Sequence, residues 1–216
     1  TRSCWSALAE PAVSPVVDVR DLEVVYQRGG QPAVTGLSFA LHPGESLLVT
    51  GDHGAGKTSV LRAVLGLAVP KGKISVLGQL PGSPEAMRRV GYGPQGRTFT
   101  ERHSPAQLLD LVVRLRLGRR APEVAAEALD RAGLATEHHR VRTSDSEDVR
   151  RVALACAIAA EPDLLVLDDP WEFPETMVEI ERARVRGAAI LVATDDPGGF
   201  ATVLGRTITL VDGVPQ

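Results

Sequence analysis

The pattern of apolar and polar positions along the chain predicts an α/β protein. Residues 16–26 and 33–41 alternate between apolar and polar side chains around a turn at Gly29 and Gly30, which predicts an antiparallel β hairpin. Residues 46–50 and 164–167 are continuous apolar runs of the kind found in buried parallel strands. Shorter strands are predicted at residues 73–77, 89–92, 189–193 and 206–211.

Helical segments are predicted between these strands, at residues 59–67, 105–117, 122–131 and 150–160. We therefore expect a helical subdomain over about residues 97–160, within a domain that covers residues 16–216 and follows a loose lead-in at residues 1–15. The first helix of this subdomain is rich in leucine and valine, and we expect these side chains to be core residues. They lie at positions 108, 109, 111, 112, 113 and 115.

Residues 51–58, Gly-Asp-His-Gly-Ala-Gly-Lys-Thr, carry the clearest chemical signal. A glycine, four residues and then Gly-Lys-Thr, placed between a strand and a helix, are typical of a phosphate-binding loop, although a glycine-rich turn could match by chance. The loop N–H groups and the helix dipole attract an anion, Lys57 adds a compact charge for the β and γ phosphates, and Thr58 offers a hydroxyl to Mg²⁺. The candidate nucleotide-binding residues are Gly51, His53, Gly54, Ala55, Gly56, Lys57, Thr58 and Ser59.

Two acids, Asp168 and Asp169, end the second apolar run. An aspartate at the end of a buried strand beside a phosphate loop is placed to orient hydrated Mg²⁺, and the next acid then lies near the γ phosphate. Acids also end strands in ordinary turns, but the phosphate loop upstream favours the functional interpretation.

Composition and charge argue against several other classes of protein. The net charge of −3 gives no basic stripe of the kind that nucleic-acid binders show, so we expect no nucleic-acid partner. No apolar run reaches the roughly 18 to 20 residues that span a bilayer, and the first residues do not resemble a secretory signal. Cys4 and Cys156 are too few for a disulfide framework, and Cys156 is expected to be a core thiol. We expect a cytoplasmic chain that is held at the inner face of the cell membrane only through a partner.

The order of these motifs resembles the nucleotide-binding domain of ATP-binding cassette (ABC) proteins over about residues 16–214. The resemblance rests on Tyr26, the phosphate loop, Gly-Tyr-Gly-Pro-Gln at residues 91–95, Arg-Val-Ala-Leu-Ala at residues 151–155 and the strand that ends in Asp168. It implies an α/β P-loop NTPase fold of the ABC type, with a RecA-like core, an N-terminal antiparallel β subdomain and a helical subdomain. It also implies ATP and Mg²⁺ as cofactors.

The same resemblance assigns roles to residues outside the phosphate loop. It makes Tyr26 the aromatic that stacks on adenine and Gln95 the glutamine that touches Mg²⁺ and the attacking water. The alternatives are a half-buried strand tyrosine and an ordinary loop amide. The start of the helical subdomain would receive a coupling helix from a membrane permease, with Phe99, Thr100 and His103 as the contact candidates.

Four motifs depart from the family pattern. The signature segment, normally Leu-Ser-Gly-Gly-Gln, falls on residues 144–148. Three carboxylates in this segment would repel the γ phosphate held by another protomer. The alternative is that its first two residues cap the following helix, and both interpretations can hold together. Asp169 replaces the catalytic glutamate and is shorter by one methylene, about 1.5 Å. The D-loop motif is missing from residues 171–175, and Asp195 replaces the switch histidine.

We therefore expect an ATP-binding subunit or domain of an ABC transport system that drives or regulates a membrane permease and hydrolyses ATP weakly. It would pair with a second nucleotide-binding domain as a homodimer or heterodimer. Asp169 and Gln95 are the catalytic candidates, and Thr58, Gln95 and Asp168 are the metal-ligand candidates. The alternative is a non-transport regulatory or assembly module of the ABC superfamily, and a kinase of another P-loop family is disfavoured by the segment that ends in Gln95.

Overall fold

The structure is a computed structural model that describes residues 14–26, 30–95, 104–134, 146–170 and 172–216. Its strands are β1 (Val17–Val24), β2 (Val34–Leu41), β3 (Ser46–Thr50), β4 (Lys71–Val76), β5 (Val90–Gly93), β6 (Leu164–Asp168), β7 (Ala189–Ala193), β8 (Arg206–Val211) and β9 (Val214–Pro215). Its helices are α1 (Lys57–Val64), α2 (Pro84–Met87), α3 (Pro105–Leu117), α4 (Pro122–Arg131), α5 (Ser146–Ile158), α6 (Pro174–Val185) and α7 (Phe200–Val203).

The strands form two sheets. The N-terminal sheet has the order β2-β1-β4, and β1 pairs antiparallel with both neighbours, as predicted for the hairpin. The larger sheet has the order β5-β6-β7-β3-β8-β9. Its first five strands are parallel, and β9 adds an antiparallel edge. The predicted combination of a parallel core with an N-terminal antiparallel subdomain is confirmed.

The central strands of the large sheet contribute to two hydrophobic cores, because successive side chains point to opposite faces. Leu47 and Val49 belong to the core shared with the N-terminal sheet and α1. Leu48, between them, belongs to the core formed with α3, α4, α5 and α6. Cys156 is buried in this second core, as predicted for a core thiol.

Helix boundaries follow local sequence signals. The hydroxyl of Ser104 and the side chain of Gln107 form a capping box at the start of α3, and Gly118, with φ of 68°, ends the helix. Helix α5 begins at Ser146 and so includes part of the segment assigned to the signature motif. In the described part of the chain no helix is longer than 13 residues, which is short of the about 20 that span a bilayer.

The core assignment for α3 was partly wrong. Leu109 and Val113 are fully buried, whereas Leu111 and Leu115 are 53% and 66% exposed. One face of α3 therefore packs on the second core, and another carries leucines to the surface.

The parallel arrangement brings several loops to one edge of the large sheet. Asp168 is paired in register with Ala193, and Val49 is paired with the same residue from the other side. Gly93 is paired with Leu167. The loops that follow β3, β5, β6 and β7 therefore leave the sheet at its carboxyl edge, where open α/β sheets bind their ligands.

Candidate functional site

The loop between β3 and α1 has a backbone that requires glycine at two positions. Gly51 and Gly56 have φ angles of 142° and 98°. A Cβ atom on Gly51 would lie 2.2 Å from the carbonyl oxygen of Leu210, and one on Gly56 would lie 2.1 Å from that of Ala33. The loop is thus held tightly between β8 and the start of β2. The Cβ direction of Gly54 is open, so this residue leaves the loop backbone accessible.

Helix α1 directs positive charge into the loop. Its N-cap residue, Gly56, makes no side-chain hydrogen bond, and its first turn contains no acid. The Nζ of Lys57 donates to the carbonyl oxygens of Gly51 and Asp52, at 2.8 and 2.9 Å. The ammonium group and the positive end of the helix dipole therefore lie together, which is an arrangement suited to an anion such as phosphate.

Thr58 and Asp168 meet although 110 residues separate them in sequence, since the Oγ1 of Thr58 donates to Oδ1 of Asp168 at 3.0 Å. Asp168 is buried, with 4% exposure. This burial, and then the charge of Asp169, raises the pKa of Asp168, while the bond from Thr58 and the charges of Arg62 and Lys57 oppose the rise. The ionised carboxylate is therefore costly in this protein and would gain from a nearby cation.

These donors fit Mg²⁺ held jointly with a nucleotide. Thr58 and Asp168 supply a hydroxyl and a carboxylate, which are hard oxygen donors. Among the described residues no group of three or more His, Cys, Asp or Glu side chains could hold a metal alone. Mg²⁺ commonly uses one or two carboxylates and completes its shell with water and phosphate oxygens.

Burial, with a contribution from Asp168, raises the pKa of Tyr92 to about 12, so the tyrosine beside this pair stays neutral.

Asp169 lies just beyond β6, and its carboxylate is held by two neighbours. The Nε2 of Gln95 donates to Oδ2 at 3.0 Å, and the Oγ1 of Thr194 donates to Oδ1 at 3.1 Å. The guanidinium of Arg150 donates to the main-chain carbonyl of Asp169 at 2.6 Å. The two predicted catalytic residues, Asp169 and Gln95, are thus in direct contact. Sequence reasoning missed Thr194 and Arg150. Thr194 could have been noticed because it follows a predicted strand, but no sequence signal indicated Arg150.

A cavity of about 210 Å³ connects these groups. Most of the predicted site residues line this cavity, and so does Asp195, the residue at the switch-histidine position. Its lining consists of Ala33, His53, Gly54, Gly56, Lys57, Thr58, Ser59, Gln95, Asp168, Asp169, Ala193 and Asp195. Gly51 and Ala55 shape the loop without lining the cavity, and Ala55 is buried.

Tyr26 lies beyond the end of β1, and its side chain is 54% exposed. Tyr26 is therefore about half exposed and lies outside the strand. The hydroxyl of Tyr26 donates to Oγ of Ser59 in α1 at 3.1 Å, which brings the exposed ring beside the phosphate loop. Stacking of this ring on adenine stays a prediction.

Several predicted residues lie outside the described part of the chain. These are the permease-contact candidates Phe99, Thr100 and His103, the first two residues of the signature segment, Ser144 and Asp145, and Trp171 of the D-loop position. The last two residues of the signature segment, Glu147 and Asp148, lie in the first turn of α5. There, Glu147 accepts a hydrogen bond from Nε of Arg151 at 3.0 Å.

An apolar groove of about 630 Å³ lies between α2, β5 and α3. Large hydrophobic side chains are exposed at it, including Leu67 at 64% and Leu115 at 66%. Its lining consists of Leu65, Leu67, Pro84, Met87, Arg88, Val90, Tyr92, Pro94, Val112, Leu115, Arg116 and Cys156.

Comparison with curated proteins finds relatives that act in transport. The chain is 32% identical to the zinc import ATP-binding protein ZnuC of Paracoccus denitrificans over 194 residues, which cover 85% of this chain and 71% of ZnuC. It is 31% identical to the oligopeptide transport ATP-binding protein OppD of Mycobacterium tuberculosis over 232 residues. That match covers 93% of this chain but only 38% of OppD, so the chain spans well under half the length of this relative.

Solved structures show the same fold. The ATP-binding cassette MJ0796, solved as a dimer in a post-hydrolysis state bound to ADP and Pi, aligns with a TM-score of 0.83 at 20% identity and covers 93% of this chain and 96% of the cassette. An ATP-binding subunit of an ABC transporter aligns with a TM-score of 0.81 at 22% identity, covering 93% and 88%. The family model described as ABC transporter matches residues 34–172. The chain therefore belongs to the ATP-binding proteins of the ABC transporter family.

Proposed function

We propose that this chain binds Mg-ATP in the 210 Å³ cavity and serves as the nucleotide-binding subunit or domain of a transport system. The observation that carries the proposal is the contact between Thr58 and Asp168, 3.0 Å apart, beside the positively charged end of α1. This arrangement supplies phosphate and cation ligands in one place. Its similarity to transport proteins such as the zinc import protein ZnuC supports the transport role.

Within this proposal, each predicted residue has a distinct task. Lys57 would exchange the carbonyl oxygens that its Nζ now contacts for phosphate oxygens, since an ammonium group has three rotatable donors. Thr58, Asp168 and Gln95 would hold Mg²⁺, which supplies charge neutralisation of the phosphates when bound. Tyr26 would stack on the base, a contact that needs a flat ring with an exposed face.

Isothermal titration of the chain with ATP and Mg²⁺ tests the binding claim. We expect saturable binding by the natural chain and a loss of at least about a hundredfold in affinity for Lys57→Ala, which removes a charged phosphate ligand from a partly buried site. Lys71→Ala is the matched control, because Lys71 pairs with Glu23 on the surface of the N-terminal sheet. Equal affinity in Lys57→Ala and the natural chain would refute the assignment of the loop.

The apolar groove between α2, β5 and α3 supports a membrane permease as the partner. It lies where β5 leads towards Gln95, and its exposed leucines suit an apolar helix face, with the exposed Arg88 available for acidic or carbonyl groups. The contact candidates Phe99, Thr100 and His103 follow in sequence. We propose that a helical segment of the permease binds here and holds the chain peripherally at the inner face of the membrane.

We propose that the chain pairs with a second nucleotide-binding domain, as the solved dimer of a similar fold suggests. We also propose that it hydrolyses ATP slowly. Two observations favour slow hydrolysis: Asp195 brings a carboxylate to the cavity, and the Asp169 carboxylate is occupied by Gln95 and Thr194. The same observations favour the second candidate function, a non-transport module that reports nucleotide occupancy.

A further inference from the structure

Glu172 belongs to the segment from which the D-loop motif is missing, and it follows Asp169 closely in the chain. Its carboxylate accepts a hydrogen bond from the main-chain N–H of Gly199, in the segment that follows β7. The two residues are 27 positions apart. The side chain of Glu172 therefore ties the segment after β6 to the segment after β7, at the edge of the sheet where the cavity lies.

The carboxylate of Glu172 packs against backbone that carries no side chains. A Cβ atom on Gly198 would lie 2.1 Å from Oε1, and one on Gly199 would lie 3.1 Å from Oε2. A side chain at Gly198 would push the carboxylate out of its place. The acid at the D-loop position and the two glycines after β7 thus supply the two halves of one contact.

The segment after β7 is a compact turn that carries Asp195 into the cavity. The Oγ1 of Thr194 accepts from the N–H of Asp196 at 3.2 Å, and Oδ1 of Asp196 accepts from the N–H of Gly198 at 3.2 Å. These bonds leave little slack between the two ends of the turn. A displacement at Gly199 would therefore be passed on to Asp195.

Asp195 needs to be held in place, because the cavity has other carboxylates in its lining. Asp168 and Asp169 line the same 210 Å³. Their charges repel that of Asp195, which is exposed and can be hydrated outside the cavity. Thr194 anchors one end of the turn through its bond to Asp169, and Glu172 anchors the other end.

We propose that Glu172 is a positioning residue for nucleotide selectivity: by holding the turn at Gly199, it keeps the Asp195 carboxylate in the cavity and so lowers the preference for ATP over ADP. ATP carries more negative charge than ADP, so Asp195 opposes ATP more strongly. The inference rests on the proposed function, since it assumes that the cavity binds a nucleotide. Glu172 itself does not line the cavity and is assigned no contact with the nucleotide.

The test measures the affinities for ATP and for ADP, both with Mg²⁺, by calorimetry on the full chain. In Glu172→Ala we expect the ratio of ATP affinity to ADP affinity to rise about fivefold or more, the lower range of coupling between sites. Glu172→Asp keeps the charge but is too short to reach Gly199, and should show the same rise. Glu172→Gln loses the charge but keeps an acceptor oxygen for the same N–H, and should keep the natural ratio.

A double variant separates positioning from a direct effect of Glu172. Asp195→Asn should raise the ratio at least as far as Glu172→Ala does, because it removes the opposing charge itself. In the Asp195→Asn background, Glu172→Ala should then change the ratio no further. Glu123→Ala, at an exposed acid in the first turn of α4, is the control and should leave the ratio unchanged.

Four outcomes would overturn the inference. A natural ratio in Asp195→Asn would show that Asp195 does not oppose ATP, and a natural ratio in both Glu172→Ala and Glu172→Asp would show that the turn holds without Glu172. A raised ratio in Glu172→Gln would mean that the charge of Glu172 acts directly. A further rise in the double variant would mean that Glu172 acts by a route other than Asp195. Absence of ATP and ADP binding by the natural chain would refute the proposed function instead.

Discussion

The buried carboxylate of Asp168 is the clearest case of a residue whose proposed role costs stability. Burial raises its pKa in the folded protein, so folding favours the protonated form. A raised pKa in an acid means that stability is present at low pH and is lost as the pH rises through the raised value. At neutral pH the ionised side chain therefore opposes folding, and a bound cation would remove that cost.

Asp168→Asn should separate stability from cation binding. The amide oxygen can still accept from Thr58, but the buried charge is gone, so we expect a higher midpoint of thermal unfolding at neutral pH without nucleotide. The effect of Mg²⁺ on ATP affinity should be largely lost. Thermal unfolding followed by circular dichroism gives the first result and calorimetry the second. Asp163→Asn, at an exposed acid paired with Arg89, is the control. A lower midpoint in Asp168→Asn would show that the charge is compensated in the folded protein.

At the scale of elements, a buried ion pair joins α4 to α6. The side chain of Glu179 is 2% exposed and pairs with Arg131 of α4 and with Arg182 on its own helix. The Nε of Arg131 donates to Glu179 at 3.1 Å. The hydrogen bond to Glu179 is the main cause of the raised pKa of Arg131. A carboxylate this deeply buried is tolerated because both arginines satisfy it.

Glu179→Ala should therefore destabilise the protein strongly. It leaves Arg131, which is 14% exposed, without its main partner, and removal of one member of a buried pair costs about 3 to 5 kcal/mol. The exposed pair of Glu181 with Arg184 is a matched control on the same helix, and Glu181→Ala should cost far less, because solvent screens an exposed pair. Urea unfolding measures both. Similar losses in the two variants would mean that burial does not set the strength of the Glu179 pair.

For the whole molecule, we predict slow ATP turnover by the purified chain. Asp195 lines the cavity, and Asp169 is a short side chain whose oxygens are occupied by Gln95 and Thr194. Loss of a preorganised transition-state contact commonly costs about 10² to 10³ in rate. Phosphate release assays should therefore give rates near the detection limit. Rapid turnover that disappears in Lys57→Ala would show that these substitutions do not impair hydrolysis.

The partner prediction also belongs to the whole molecule. Leu115→Asp places a charge in the apolar groove and should weaken association with the permease by about tenfold or more while ATP affinity stays the same, since hot spots at interfaces cost 2 kcal/mol or more. Val185→Asp is the control, because Val185 is a 75% exposed valine on α6, away from the groove. Co-purification from detergent-solubilised membranes measures the association. Equal recovery of the permease with both variants would place the interface elsewhere, with Phe99→Asp as the next variant to test.

Most of the elements, the fold class and the phosphate loop could be predicted from the sequence alone. Alternation predicted β1 and β2, apolar runs predicted β3 and β6, and the residue spacing of the loop predicted its chemistry. These signals are local, because periodicity and glycine spacing act over a few residues. Helix α6 escaped prediction although Pro174 occupies its first turn, because its outward face mixes charged residues with exposed valines.

Which side chains act on each other became clear only from the three-dimensional arrangement of the elements. The contact of Thr58 with Asp168, the occupation of Asp169 by Gln95 and Thr194, and the support from Arg150 all join residues that are far apart in the chain. Strand order and register set these distances, and no local pattern encodes them. The exposure of Leu115 was decided in the same way, because a leucine on a helix is core or surface according to what packs against that face.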